Sequence, residues 1–437
     1  MRVVRVNLLL AVGAAVLAMA APAHASAPVS AHAMVHTCCT PQAEKERIFS
    51  EAAAVGADYI RVDVELSGIF SAPGADPDWH ALDQVIDLSR EHHQPVLAIL
   101  LGSPAWADEE EYGRLSGEVA DHAAGAIDHW EIWNEPDGEA FDGTPEDYAR
   151  MLSAAYDQIK AKEPGATVLL GGISRPHEPD WLQRVLDTPG ADAIHKFDVA
   201  AVHLRGTVDA VVHRYDAFRS WLADSGFHGP LWVTELGYPA DPAFQTDPAY
   251  RAGDTSQAAY LTQTLIGLGE LGAPEVFVTL RDNAALEGKY VTEGLVNIDE
   301  TPGGDYPVTR RASFTAVRRV VDSWDELMAW RSEQRRHEQD ERVEQAQAAL
   351  WNADARVARD KFRQARAEVQ AAQLDRARGR LPRTTARLDR RLARARALFA
   401  GCRAALAWKS AIGHWHSQRA YDHGVAVALL KQRIAGG

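Results

Sequence analysis

Cysteine is scarce in this sequence, with three residues in 437, at Cys38, Cys39 and Cys402. So few exclude a disulfide-stapled scaffold, and the odd count leaves at least one thiol unpaired. No Cys/His cluster stands at the spacing of zinc ligands, so no metal site is expected. In an exported chain, a bridge from Cys38 or Cys39 to Cys402 is one pairing the count allows, and the sequence leaves the pairing open. Glycine-rich phosphate loops are missing as well: no predicted strand runs into one, and Gly171-Gly172 is a lone pair. That argues against a doubly wound, nucleotide-binding sheet and leaves no nucleotide or flavin cofactor to expect. After the first two dozen residues there is no long apolar run, so no internal segment reads as a membrane span. From 331 to 410 glycine and proline almost vanish, leaving Gly379, Gly401 and Pro382. Without turn-formers, this stretch reads as long helix.

Charge is present but unevenly placed. The net charge is −15, yet residues 331–437 hold 23 Lys and Arg against 11 Asp and Glu, about +12. The remaining 23 against 50 give residues 1–330 about −27. Such asymmetry implies two modules with different partners. Residues 1–25 read as a signal peptide: Arg2 and Arg5, an apolar run from Leu8 to Ala20, then Ala23-His24-Ala25 before Ser26. A secreted or cell-surface protein is therefore expected. Residues 326–437 read as a basic helical tail. Val343, Leu350 and Val357 recur every seven residues, as do Leu381, Leu388 and Ala395, predicting a coiled-coil hairpin folded at Gly379 to Pro382. Its charge excess points to an anionic cell-surface polymer or membrane surface, and its thin seam to self-association. No nucleic-acid partner is expected. His414-Trp415-His416 reads as an amphipathic helix end rather than a metal tract.

Residues 26–325 alternate strand and helix. Strands are expected at 31–36, 57–66, 95–101, 129–135, 167–171, 197–203, 231–235 and 275–281, with a last helix over 308–324. The run Pro95 to Leu101 is almost wholly apolar, the mark of a strand covered on both faces. Eight strands in this alternation predict a (β/α)8 barrel.

Two of the expected strands end on a glutamate. His129-Trp130-Glu131-Ile132-Trp133-Asn134-Glu135 stops at Pro136, which has no N–H to continue a sheet. Leu231-Trp232-Val233-Thr234-Glu235 ends the same way. Strand ends are where a barrel does its chemistry. Two carboxylates there are what cleavage of a glycosidic bond needs, one as nucleophile and one as acid/base. Glu235 reads as the nucleophile and Glu135 as the acid/base. Arg61 is either the cation that keeps Glu235 charged or half of a core ion pair with Asp63 or Glu65. Asn134 suits a sugar 2-hydroxyl. His203 could hold a carboxylate or the sugar, or be a satisfied core histidine. Trp106 and Tyr238 follow strands and could stack on sugar faces. His36, closing the first strand, joins this supporting set.

Trp-Asn-Glu-Pro on a fourth strand and Thr-Glu-Leu-Gly on a seventh resemble the retaining glycoside hydrolases of clan A. The resemblance covers roughly residues 30–325. Arg61, Ser103-Pro104-Ala105-Trp106 and Leu280-Arg281-Asp282 are most like glycoside hydrolase family 39, with family 5 as second choice. It implies a double-displacement mechanism, and the departures from it point to an oligo- or polysaccharide substrate rather than a simple xyloside. Three departures stand out. Many clan members have His-x-Tyr ending strand six, where this chain has His203-Leu204-Arg205. Many have a tryptophan on strand eight, where this chain has Phe277-Val278-Thr279-Leu280. The accessory β-sandwich of family xylosidases gives way to the helical tail. These departures also motivate a rival reading, a non-catalytic carbohydrate-binding barrel with a tethering tail.

Overall fold

The computed structural model describes residues 26–283, 287–299 and 306–378, with helical positions scattered from 393 to 428. The signal peptide expected at 1–25, the turn at Gly379 to Pro382, the row Leu381, Leu388 and Ala395, and Cys402 lie outside the described residues. The chain divides into two compact units, Met1–Asp325 and Glu326–Gly437.

In the first unit eight strands alternate with helices: β1 (Val29–His36), β2 (Ile60–Glu65), β3 (Val96–Leu101), β4 (His129–Asn134), β5 (Thr167–Gly172), β6 (Ala200–Leu204), β7 (Leu231–Leu236) and β8 (Val276–Thr279). Every ladder between them is parallel, in the order β5-β4-β3-β2-β1-β8-β7-β6. Bridges Leu169↔Val199 and Ile173↔Val202 bring β5 to the β6 edge and nearly close the sheet. This is a (β/α)8 barrel. Strands buried on both faces explain why β3 is apolar throughout. Leu97, Leu169, Val199, Trp232 and Phe277 form an apolar cluster, with Tyr59 packed against it.

The helices of this unit are α1 (Gln42–Val55), α2 (Leu66–Ile69), α3 (His80–His92), α4 (Glu109–His122), α5 (Pro145–Lys162), α6 (Asp180–Leu186), α7 (Val208–Asp224), α8 (Asp254–Glu270) and α9 (Ala312–Asp322). Local chemistry starts several of them. Asp108 caps α4 by accepting from Glu111 N, and Thr207 caps α7 by accepting from Ala210 N. Thr144 and Asp147 form a capping box on α5, with Pro145 in the first turn.

One expectation needs correction here, and one open pairing is decided. Residues 308–324 are not one helix. Val308–Arg310 forms a strand, β10, antiparallel to β9 (Val296–Ile298), and α9 begins only after Arg311. β-Branched Val308 and Thr309 suit a ladder, and the partner strand supplies it. The pairing left open by the cysteine count is also decided against a bridge to the tail, because Cys38 is bonded to Cys39. Both lie in the tight turn after β1, where the N–H groups of Cys39 and Thr40 bond to His36 O.

The second unit is dominated by α10 (Trp324–Ala377), 54 residues long. Its seam differs from the expected one. Val343, Leu350 and Val357 are 51%, 68% and 54% exposed, whereas Ala348, Ala355, Ala358 and Ala365 are buried. Small alanines allow close helix approach, and the larger row is left on the outer face. His416 lies in a helix, as expected, with its Nδ1 2.6 Å from Glu344. Among the described residues no helix is long and apolar enough to cross a membrane.

Candidate active site

Period-two alternation along β4 would put Glu131, Trp133 and Glu135 on one face. The backbone breaks that alternation, with Trp133 at φ 69° and Glu135 at φ 46°. Both are non-glycine residues in the left-handed region, a conformation held only where surroundings enforce it. Trp133 accordingly packs against Tyr112 of α4 and against Phe141. Asn134 meets Arg61, and Glu135 turns over the strand end, where its carbonyl accepts from Gly138 N.

A second irregularity re-aims Glu235. Val202 pairs with Val233, but His203 pairs with Glu235, so Thr234 is the extra residue of a β-bulge. Thr234 reaches Glu131 Oε1 at 3.3 Å, and Glu235 also faces the barrel interior. One oxygen of Glu135, one of Glu235 and a ring nitrogen of His203 all lie within 4.8 Å of one another.

Arg61, completely buried on β2, organises this cluster. Its Nε and Nη2 donate to the two oxygens of Glu131 at 2.7 and 3.1 Å. Nη1 donates to Glu235 Oε1 at 2.9 Å, and Nη2 to Asn134 Oδ1 at 2.8 Å. Arg205 donates from Nη2 to Glu235 Oε2 at 3.2 Å and grips Glu293 with Nε and Nη2. His203 Nδ1 stands 2.7 Å from Glu135 Oε1, while its Nε2 faces Arg61 at 3.5 Å. Arginine can only donate, so Nε2 accepts and the ring proton sits toward Glu135. Two glycines make room. A Cβ on Gly172 would lie 2.0 Å from His203 Nε2, and one on Gly237 would lie 2.1 Å from Glu293 Oε2.

Electrostatics act on Glu235 from several sides. Burial by itself would raise the Glu235 carboxyl, but His203, His32, Arg61 and Arg205 outweigh it and hold the group well below the usual carboxylate range. Burial pushes His32 down to about 3, so it is neutral at ordinary pH. Arg61 and Arg205 stay charged at every ordinary pH, so their share of the Glu235 shift is permanent. Glu135, by contrast, has no guanidinium among its bonded partners; the contact shown is with His203.

No family model and no curated protein matches the sequence. Solved structures do match. A family 39 glycoside hydrolase from Bacteroides cellulosilyticus WH2 aligns with TM-score 0.50 and 17% identity, over 67% of this chain and 64% of that one. The exo-β-1,4-mannosidase Op5Man5 from Opitutaceae bacterium strain TAV5 gives 0.50 and 17%, over 68% and 59%. A GH5_18 protein from Streptomyces cattleya, in complex with GlcNAc, gives 0.50 and 18%, over 69% and 81%. The chain shares its barrel fold with glycoside hydrolases. It spans less than two thirds of the length of the first two.

Within this glycoside hydrolase-like barrel, the residues expected at the site divide. Glu135, Glu235, Asn134, Arg61 and His203 come together. Arg61 pairs with Glu131 and Glu235, not with Asp63 or Glu65 as the core-pair reading had it. Tyr238 is not a stacking platform. Its ring is buried against Tyr260 at 3.8 Å, and its hydroxyl donates to Tyr250 O. Trp106 lines a separate cavity of about 540 Å3 with Phe70, Trp79 and His122. His36 does not reach the glutamate pair; its Nδ1 lies 2.8 Å from Glu65 and 3.1 Å from Asp63. The Glu65 bond raises His36, and burial raises Asp63 to about 6. These three side chains offer ligand atoms within 4.8 Å of one another, a set that could hold a cation, though they already satisfy one another as an ion pair.

Glu131, His32, Arg205 and Glu293 were missed from sequence. Glu131 carried a signal, since a carboxylate inside a buried strand implies a buried cation. Arg205 stood where tyrosine is common in the clan.

Proposed function

We propose that the barrel is a retaining glycoside hydrolase acting on an oligo- or polysaccharide. The observation that carries this is the approach of Glu135 and Glu235, an oxygen of each within 4.8 Å. Retaining enzymes hold the two carboxyl groups about 5–5.5 Å apart and inverting ones about 6.5–9.5 Å. In the first step a Glu235 oxygen bonds to the anomeric carbon. The glycosidic C–O bond breaks, and the Glu135 proton goes to the departing oxygen. In the second step Glu135 takes a proton from water, whose oxygen displaces Glu235 from the sugar. Arg61 and Arg205 keep Glu235 ionised for attack. His203 orients Glu135, and Asn134, anchored by Arg61, is available to a sugar hydroxyl.

The test uses the full chain, with sugar release from a glycan panel followed by NMR of the first anomer formed. Glu235→Gln should abolish release, and Glu135→Gln should reduce it by at least about a hundredfold. Inversion at the anomeric carbon would overturn the mechanism. One observation favours a second reading, a sugar-binding barrel without turnover: both oxygens of Glu235 are already held by guanidiniums. Sugar affinity equal in parent and Glu235→Gln, with no release by either, would decide for it.

We also propose export of the chain, resting on the pattern of residues 1–25. For the tail we propose attraction to an anionic surface, resting on its charge excess, and self-association along the exposed row Val343, Leu350 and Val357. Sedimentation of the full chain with Leu350→Glu, and its retention on anionic against neutral matrices, test these two ideas.

A further inference from the structure

Beside Glu135 lies a cleft of about 290 Å3, bounded by residues that follow β4, β5, β6 and β8. That volume lies at the small end of ligand pockets, about 300–1,000 Å3, and suits a single sugar residue. Its lining is unlike the rest of the unit. Residues 1–330 hold 50 acidic against 23 basic side chains, yet the cleft presents Arg205, Arg214 and Lys289 against one carboxylate, Glu135. In the mechanism above, that carboxylate carries a proton when substrate arrives.

The three cations are not equivalent. Arg205 is neutralised by Glu293 and Glu235. Arg214 spends one N–H on Arg205 O at 2.8 Å, and among the described residues no carboxylate pairs with it. Lys289 likewise has no acidic partner among the described residues, and its Nζ stands 4.9 Å from the Tyr290 ring. The Arg205 guanidinium lies 5.2 Å from the same ring. Tyr290 is 39% exposed, so the aromatic face and two uncompensated charges meet at the cleft. Charges left unpaired beside a site favour a ligand that brings the opposite charge, and a guanidinium suits a planar carboxylate in particular.

We propose that this subsite takes a sugar residue bearing an anionic group, a carboxylate or a sulfate, held by Lys289 and Arg214 beside the acid/base glutamate. The inference deepens the glycosidase reading and rests on it for the position of the scissile bond. It makes the substrate an acidic glycan rather than a neutral one.

The test compares matched pairs on the full-length protein. Oligosaccharides of alginate, polygalacturonate and hyaluronan are set against their carboxyl-reduced counterparts, and carrageenan oligosaccharides against desulfated ones. The expected result is kcat/KM at least tenfold higher for the acidic member of a pair, with the responding pair distinguishing carboxylate from sulfate. Lys289→Gln and Arg214→Gln should each lower that ratio severalfold, through KM, and salt should lower it too. Uncharged members turned over as well or better would overturn the subsite and leave the glycosidase reading standing. If nothing is turned over, that reading falls, and calorimetric binding of the same pairs decides the subsite alone. Tighter binding of acidic members, lost in Lys289→Gln, supports it; equal or no binding overturns it.

Discussion

Arg205 Nη2 stands 3.2 Å from Glu235 Oε2, so the glutamate proposed as nucleophile is held by a second guanidinium, where the hydrolases that the sequence resembles often place a tyrosine. The same arginine neutralises Glu293, which is only 1% exposed. One side chain thus links the charge state of the site to the stability of the loop that carries Glu293.

Replacing Arg205 by Gln should therefore have two separable effects. The acid limb of the kcat/KM profile should move to higher pH, because a cation that depresses the Glu235 carboxyl is gone. Stability should fall by about 3–5 kcal/mol, the usual cost of stranding a buried charge. Adding Glu293→Gln should restore much of the stability but leave the pH limb displaced. A profile unchanged in Arg205→Gln would show that Arg61 suffices.

Glu131 should behave as a structural support whose loss reaches the site. It accepts both Nε and Nη2 of Arg61 and also the N–H of Gly172 at 2.9 Å. Glu131→Ala leaves a fully buried guanidinium with one of its two carboxylate partners, a loss of about 3–5 kcal/mol in denaturant unfolding. Glu131→Gln keeps the shape and should cost less. In both, kcat should fall by more than the affinity for a neutral, non-reacting sugar, since Arg61 holds Glu235 directly and reaches the ligand only through Asn134.

His32 should make the fold acid-sensitive. Its folded pKa, about 3, lies below the ordinary 6.5, so the unfolded chain binds a proton that the native chain does not. Its contribution is complete above 6.5 and is lost as pH falls toward 3, at about 1.4 kcal/mol per pH unit once the unfolded imidazole is charged. Asp63 and Glu275, raised by burial to about 6 and about 8, act with the opposite sign. The comparison is therefore parent against His32→Gln, which can keep the bond to Arg61. The variant should lose less stability between pH 6.5 and 4.5 on thermal unfolding. Equal losses would assign the acid sensitivity elsewhere.

Glu135 and Glu235 were legible because each ends an apolar strand, and strand alternation is written locally. Arg61 was legible as a charge in a buried strand, but its partners were not. Glu131, His32 and Glu235 come from three other strands, and nothing local says which will face it. Tyr238 failed for the same reason in reverse. A position after a strand does not tell whether an aromatic ring turns to the cleft or, like Tyr238, to a neighbouring helix. The tail row Val343, Leu350 and Val357 was read as buried from its spacing alone, and the alanines beside it are buried instead.

The sequence by itself determined the alternation of strand and helix, hence the barrel, and the strand-end position of both glutamates, because side-chain periodicity and proline's missing N–H act within a few residues. Only the tertiary structure decided how those glutamates are aimed and charged. Their aim depends on left-handed backbone at Trp133 and Glu135 and a bulge at Thr234, stabilised by the closed sheet. Their charge depends on which of several distant cations the closing barrel brings within 3.2 Å of Glu235, namely Arg61 and Arg205.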